Sequence, residues 1–268
     1  MKISINWKEY LNKKEFDVGL LQPKSSLHPS LWRREALNPQ ILSRLVEISE
    51  DILRTENIDA EIEDIIVTGS LASYNWNRLS DLDLHILLDF DQINENRSLV
   101  RKYLNAIRVN WNLKHSIMIE NHEVELYFQD VQESHHADGV YSILSEDWVK
   151  RPTLNQYDVD MRTVEKKAEG IAVLQEQAFE LFREEKYENV HKLASKLMKK
   201  IKRMRMQGLS TEGIYSVENL AFKMLRNAGI IYKIASLRDL SYDKKMSYSD
   251  FEPVNVKIDE QWWKFIKS

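Results

Sequence analysis

Two aspartates separated by a single residue, Asp81 and Asp83, stand at the start of an apolar run that continues to Leu88. Successive side chains of a strand point to opposite faces, so both carboxylates face one way while the leucines face an apolar layer. Two carboxylates held side by side repel each other unless a cation neutralises them. Their hard oxygen atoms favour Mg²⁺ or Mn²⁺. The spacing therefore predicts a divalent metal site.

A glycine-serine turn precedes this pair, with ten residues between them. An apolar strand is predicted over residues 65–67, and Gly69 and Ser70 come shortly after it. Glycine lets the backbone approach a ligand closely, and a short helix expected from about Leu71 would direct free N–H groups at an anion. Phosphate at the turn and metal at the carboxylates together indicate a metal-bound nucleoside triphosphate.

The turn Thr68-Gly69-Ser70, its ten-residue spacer and Asp81-Leu82-Asp83-Leu84 resemble the signature of the polymerase-beta-type nucleotidyltransferase superfamily. The apolar strands on both sides fit this resemblance better than the alternative, a solvated turn and a strand edge that happen to carry two acids. The resemblance implies an α+β fold with a mixed sheet flanked by helices, followed by an all-helical C-terminal domain.

The same resemblance implies a reaction. Asp81 and Asp83 would hold two Mg²⁺ or Mn²⁺ ions, and the triphosphate of a nucleotide such as ATP would lie with its tail at Gly69 and Ser70. Attack of an acceptor hydroxyl on the α-phosphorus would transfer a nucleoside monophosphate and release pyrophosphate. The expected activity is therefore that of a metal-dependent nucleotidyltransferase.

A third carboxylate is implied on a strand beside the aspartates. The sequence predicts a hairpin of residues 115–120, a turn at 121–122 and a strand over 123–128. Glu125 lies between two apolar residues of that strand and is the expected third catalytic metal ligand, while Glu123 shares its face and is the alternative. The family usually has Asp at this place, so Glu is a mild departure whose longer side chain still reaches a metal.

Three histidines have ordinary structural explanations. His85 shares the strand face of the aspartates, but a histidine there is more often a hydrogen-bonded structural residue than a substrate contact. His135 and His136 lie in a turn-rich loop without a second histidine pair or any cysteine, which favours a solvated loop over a metal clip.

The chain is expected to divide into three parts. Residues 1–36 form an N-terminal arm with two prolines and turn chemistry. Residues 37–152 form the catalytic domain, which begins with a helix capped at Asn38-Pro39 and is predicted to restart helix at 140–144. Between them, a helix is predicted to open at residues 89–91, after the strand that carries the aspartates, and to run to Trp111. Residues 153–268 form a helical domain that binds substrate or nucleotide.

Within that helical domain, long helices are predicted over residues 159–182 and 187–207, with Gly208 ending the second. Ser216 is the expected N-cap of a third helix, and residues 230–240 form a short fourth one. Each of these helices carries an apolar stripe that a helical bundle would bury.

Seven basic residues between Lys192 and Arg205 follow one another without an acid. At ~100° per residue, the side chains of Lys196, Lys199 and Arg203 fall on one side of the helix, away from its apolar stripe. A solvated helix face is the ordinary explanation. The functional interpretation is that these three residues bind a triphosphate tail or the backbone of an RNA acceptor.

Composition sets outer limits on function. The 268 residues are 43% hydrophobic and 30% charged, enough for one large core or two modest ones. The sequence has no apolar run near ~18 residues and no signal-peptide core, so a soluble cytoplasmic protein without a membrane partner is expected. The absence of cysteine excludes disulfides, a thiol nucleophile and a cysteine zinc site. A net charge of −4 argues against indiscriminate DNA binding.

The order of these motifs, with Val124-Glu125-Leu126-Tyr127 and the stretch from Tyr215 to Lys223, is also similar to nucleotidyltransferase-domain proteins of large tailed phages. That resemblance covers most of the chain, names no acceptor and would imply a host cytoplasm. Two alternatives stay open: a catalytically silent nucleotide- or RNA-binding module, and a host-directed interaction protein that uses Trp262-Trp263 if these are exposed.

Overall fold

A computed structural model of the chain describes residues 16–135, 137–154 and 159–248. They divide into two compact units. The sheet unit covers residues 22–156, and the helical unit combines the residues up to 21 with those from 157 onwards. All the described strands belong to the sheet unit.

The strands are β1 Trp32–Arg33, β2 Ala36–Leu37, β3 Ile62–Thr68, β4 Leu82–Leu88, β5 Met118–Ile119, β6 His122–Asp130, β7 Val140–Ser142 and β8 Asp147–Lys150. The helices of the sheet unit are α1 Pro39–Thr55, α2 Phe90–Ile93 and α3 Arg97–Lys114. The helical unit contains α4 Met161–Arg183, α5 Tyr187–Thr211, α6 Val217–Asn227, α7 Ile230–Met246 and two short 3-10 helices, Val18–Leu21 and Gly213–Tyr215. None of the helices in the described part of the chain is long and apolar enough to cross a membrane.

Six strands form one mixed sheet in the order β5-β6-β4-β3-β7-β8. β4 and β6 run parallel, and the other neighbouring strands run antiparallel. The parallel pair needs a crossover connection, which α2 and α3 supply. The predicted α+β class with a mixed sheet is confirmed.

One face of the sheet forms the main core. Alternate residues of β4 and β6, such as Leu84 and Val124, are fully buried there against the apolar faces of α1 and α3. α1 begins as predicted, because the Asn38 side chain accepts a hydrogen bond from the Gln40 N–H at 3.2 Å and Pro39 occupies the first helical position. The opposite face carries polar side chains and a small apolar cluster of Ile66, Leu87 and Val140.

The helical unit has its own apolar core, and α4 and α6 are also joined by an ion pair between Lys167 and Glu218. Ser216 caps α6 as predicted, since its hydroxyl accepts a hydrogen bond from the Asn219 N–H at 3.2 Å. The core residues include Val164, Ile171, Leu197, Ile201, Leu225 and Ile234.

The predicted helix at residues 140–144 is wrong, because this stretch begins with strand β7. Val67 pairs with Tyr141 and Ile66 pairs with Ser142, so β3 supplies a partner strand. A short apolar run does not distinguish strand from helix by its period, and pairing with a neighbouring strand decides the outcome.

Gly208 does not end α5, which continues to Thr211. A Cβ atom on residue 208 would lie 2.4 Å from the Ser216 hydroxyl oxygen and 2.6 Å from the Glu218 Cβ. The glycine therefore serves close packing of α6 against α5 and has no capping role.

Three further boundaries differ from prediction. The hairpin turn lies at Glu120 and Asn121, both with positive φ, so β6 already begins at His122. The helix predicted after β4 is split into α2 and α3. Asn96 is the N-cap of α3, because its side chain accepts a hydrogen bond from the Leu99 N–H at 3.2 Å. α7 is longer than predicted and extends to Met246.

Candidate functional site

Two of the predicted metal ligands lie on neighbouring strands. β4 and β6 pair so that Asp83 is directly opposite Glu125. Residues opposite one another in register direct their side chains to the same face, which here is the face away from the main core. Glu125 is 0% exposed and Asp83 is half-buried. The structure therefore places these two residues side by side on one face of the sheet.

Gly69 follows β3 directly and lies against the same aspartate. Thr68, the last residue of β3, pairs with Asp83. Gly69 has a φ of +77°, and a Cβ atom built on it would fall 1.8 Å from Asp83 Oδ2. Only glycine combines this backbone angle with this approach. The backbone bend and the aspartate form one site.

The short helix predicted after Ser70 is wrong, because the residues up to Asp81 form consecutive turns. Side chains bind the backbone groups that a helix would use: Asn77 Oδ1 accepts from Leu79 N–H at 2.8 Å, and Ser80 Oγ accepts from Asn77 N–H at 2.9 Å. An anion at this place would therefore depend on the bend itself and on the Ser70 hydroxyl. Asp81 is half-buried and lies one residue before β4.

A stacked pair of rings lies two residues further along the same two strands. His85 is opposite Tyr127, with ring centroids 4.7 Å apart and an interplanar angle of 27°. His85 Nδ1 donates to Gln129 Oε1 at 2.9 Å, as expected of a structural histidine. The Arg108 guanidinium from α3 lies 4.9 Å from the Tyr127 ring centroid and is almost completely buried. These contacts pack His85 and Tyr127 against each other beside the carboxylates.

A second close backbone contact borders the bend. Thr68 Oγ1 donates to the Gly139 carbonyl at 3.0 Å, and a Cβ atom on Gly139 would lie 1.8 Å from the Ala72 carbonyl oxygen. Next to it, burial raises the pKa of the Asp138 carboxyl, although a hydrogen bond from the Thr153 backbone acts in the opposite direction. The segment around residue 139 is thus fitted tightly to the turn that follows β3.

The basic residues predicted to bind nucleotide lie on α5, in the helical unit. Lys196, Lys199 and Arg203 are exposed, whereas Leu197 and Ile201 between them are buried. The predicted division of this helix into an apolar and a basic face is confirmed.

The donor set of the sheet unit fits a hard divalent cation. Asp81, Asp83 and Glu125 offer carboxylate oxygens alone, and a buried carboxylate beside a second one is stabilised by nearby positive charge. Across residues 16–135, 137–154 and 159–248, no three acidic or histidine side chains already form a metal-binding cluster. Binding of an ion would thus require these side chains to turn towards one another from their adjacent backbone positions.

Sequence reasoning missed the groups that surround the site. His122 was predicted in a turn and His28 in the N-terminal arm, yet their Nε2 atoms lie 3.2 Å apart beside Ser80. Arg108 did leave a signal, because it interrupts the apolar stripe of α3 four residues after Leu104. The predictions for His136 and for residues 262–263 fall outside the described residues.

A scan against protein-family models finds no matching family, and searches of curated proteins and of solved structures find no similar chain.

Proposed function

We propose that this chain is a metal-dependent nucleotidyltransferase, with a nucleotidyltransferase-type fold, that moves a nucleoside monophosphate from a nucleoside triphosphate to a hydroxyl acceptor and releases pyrophosphate. The supporting observation is the in-register pair Asp83 and Glu125 beside the side-chain-free bend at Gly69. Paired carboxylates next to a glycine bend suit a metal-bound triphosphate. The reaction would occur in the cytoplasm, or in that of a host if the chain is phage-encoded.

Each residue of the site has a defined task in this proposal. Asp81, Asp83 and Glu125 would hold Mg²⁺ or Mn²⁺, which when bound neutralises phosphate charge and lowers the pKa of the acceptor hydroxyl. Gly69 brings the backbone bend against Asp83 without a side chain, and the Ser70 hydroxyl would donate a hydrogen bond to a phosphate oxygen. Catalysis then comes mainly from positioning and from charge neutralisation.

RNA is the favoured acceptor. Lys196, Lys199 and Arg203 are exposed on one face of α5, along roughly 10 Å of helix axis at ~1.5 Å per residue. Lysine and arginine on such a face suit the backbone phosphates of a single strand. A triphosphate tail needs the same charges, so the experiment must separate the two ligands.

The test is incubation of the protein with each α-labelled nucleoside triphosphate, Mg²⁺ or Mn²⁺, and either total RNA or cell extract. The proposal expects metal-dependent label in a product, with RNA labelled most strongly. Asp83→Asn should abolish labelling and keep the thermal unfolding transition of the wild type. Nucleotide binding without label in any mixture would instead support a catalytically silent module.

A charge-matched pair of double variants tests the RNA preference. K196A/K199A should weaken RNA binding and flatten its salt dependence, since each lost phosphate contact removes about 0.7 from the slope of log K against log salt concentration. R162A/K166A on α4 removes the same charge elsewhere on the helical unit and should leave that slope unchanged. Equal effects of the two doubles would contradict a specific RNA face on α5.

A further inference from the structure

The N-terminal arm is bound to the loop that connects the two halves of the site. The arm segment, residues 24–32, runs beside the connecting loop, residues 71–80, which leads from the bend to Asp81. Their hydrogen bonds join Trp32 Nε1 to the Leu71 carbonyl (2.8 Å), the Lys24 N–H to the Tyr74 carbonyl (2.6 Å) and Trp76 Nε1 to the Ser26 carbonyl (2.9 Å). The arm therefore restrains this loop along most of its length.

Two histidines complete this contact at the end of the loop nearest Asp81. His122 Nδ1 lies 2.6 Å from the Ser80 carbonyl, and His122 Nε2 lies 3.2 Å from His28 Nε2. A carbonyl oxygen only accepts, so His122 Nδ1 carries the hydrogen and Nε2 of the neutral ring accepts. His28 Nε2 must then be the donor to His122. The chain of hydrogen bonds has one consistent direction, from the arm to Ser80.

The surroundings of His28 disfavour its charged form. His122 is 4% exposed, and His28 packs edge-on against Trp76 with ring centroids 4.5 Å apart. Burial, and then the proximity of His122, lower the pKa of His28, while Glu120 acts in the opposite direction. A second hydrogen on His122, at Nε2, would face the N–H of His28 Nε2 across the 3.2 Å contact, so the contact needs His122 Nε2 as an acceptor.

We propose that His122, held in place by His28, is a positioning residue that fixes the Ser80 carbonyl and thereby the place from which Asp81 binds metal. This inference rests on the proposed function for its consequence, because Asp81 is a metal ligand only in that account. Ser80 is the residue before Asp81, so a hydrogen bond to the Ser80 carbonyl restrains the peptide bond that joins it to the aspartate. A displacement of about 1 Å at a catalytic group costs as much as ~100-fold in rate.

The test compares two amide replacements in the full chain. In His122→Asn the side-chain amide can occupy the place of Nδ1 and still donate to Ser80, whereas in His122→Gln it reaches the place of Nε2 and leaves the Ser80 carbonyl without that donor. Hydrogen-deuterium exchange over residues 71–82 measures the restraint, and electron paramagnetic resonance titration with Mn²⁺ measures its effect on metal binding. Thermal unfolding of both variants provides the control for folding.

The proposal expects His122→Gln to raise exchange in this loop about tenfold, as for loss of one buried hydrogen bond, and to weaken Mn²⁺ binding by a similar factor. His122→Asn should stay within about threefold of the wild type in both measurements. His28→Ala should give exchange between the two. Equal exchange in His122→Asn and His122→Gln would overturn the proposal.

The metal site and the restraint on Ser80 are tested independently by these measurements. If His122→Gln loosens the loop but the wild-type chain binds no Mn²⁺, the metal function is wrong and the restraint on Ser80 stands. If Mn²⁺ binds the wild type and His122→Gln equally well, the restraint does not position Asp81, and the positioning role is overturned while the metal site stands.

Discussion

Gly69 approaches Asp83 so closely that a methyl group on residue 69 would lie 1.8 Å from Asp83 Oδ2. The bend after β3 therefore lies directly against the carboxylate on β4. Nothing larger than the hydrogen atom of glycine fits at the side-chain position of residue 69. This relationship ties the two halves of the sequence motif into one site.

The first prediction concerns Gly69→Ala. The variant should lose ~1–3 kcal/mol of unfolding free energy, because its φ of +77° is unfavourable for alanine and because Asp83 must move. Nucleotidyl transfer should fall by at least about 100-fold, since the displaced group is a metal ligand in our account. Chemical denaturation and the labelling assay measure the two effects.

Gly170→Ala is the control for this substitution. Gly170 is exposed within α4, and a Cβ atom added there would have no neighbouring atom within 4 Å, so the same change should add ~0.5–1 kcal/mol of stability by favouring helix. A Gly69→Ala variant as active as Gly170→Ala would show that the bend takes no part in the reaction.

The second prediction separates two glutamates of one strand. Glu125→Gln keeps the shape of a buried side chain and removes its charge, so it should abolish transfer without lowering the thermal unfolding temperature. Glu123→Gln changes a half-buried residue on the same face, which pairs with Met118 and not with Asp83, and should retain near-normal activity. If Glu123→Gln is the inactive variant, the third ligand has been assigned to the wrong residue.

The third prediction concerns the pH dependence of stability at Asp138. Burial raises the pKa of this carboxyl in the folded state, so the folded chain holds the proton more tightly than the unfolded one. Stability is therefore lost as pH rises above ~3.9, the ordinary value for Asp, towards the folded-state pKa. Asp138→Asn should raise the unfolding temperature near neutral pH. This gain should vanish in acid, where the Asp138 carboxyl of the wild type is neutral in both the folded and the unfolded chain.

Asp160 gives the matched comparison of opposite sign. A hydrogen bond from the Thr163 hydroxyl lowers the pKa of Asp160, which caps α4. Its contribution to stability is present above the unfolded pKa and is lost as pH falls. Asp160→Asn should therefore be less stable than the wild type near neutral pH and converge with it in acid. Parallel pH profiles for the two variants would contradict this assignment of signs.

The elements predicted well are those whose residues determine structure locally. The alternation in β4, with Asp83 and His85 on one face and Leu84 on the other, follows directly from strand geometry. The caps at Asn38 and Ser216 follow from their own hydrogen bonds to the first helical turn. The same alternation in β6 placed Glu123 and Glu125 on one face, and the register then places Glu125 opposite Asp83.

The elements predicted wrongly depend on partners far along the chain. Residues 140–142 form a strand because β3 offers an edge, and α5 continues through Gly208 because α6 packs at that point. Residues 71–80 remain turns because the arm segment binds them through residues such as Trp32. The pairing of His28 with His122 spans 94 positions and has no local pattern that could announce it. Local propensity does not contain such contacts.

The most direct test of the central claim is to measure Mn²⁺ binding by electron paramagnetic resonance in the presence of a non-hydrolysable nucleoside triphosphate analogue. Our account predicts that the wild-type chain binds about two ions, as in two-metal phosphoryl transfer, and that Asp83→Asn and Glu125→Gln each lose tight binding while Glu123→Gln keeps it. Wild-type affinity for Mn²⁺ in Asp83→Asn would contradict the claim that these carboxylates form the metal site.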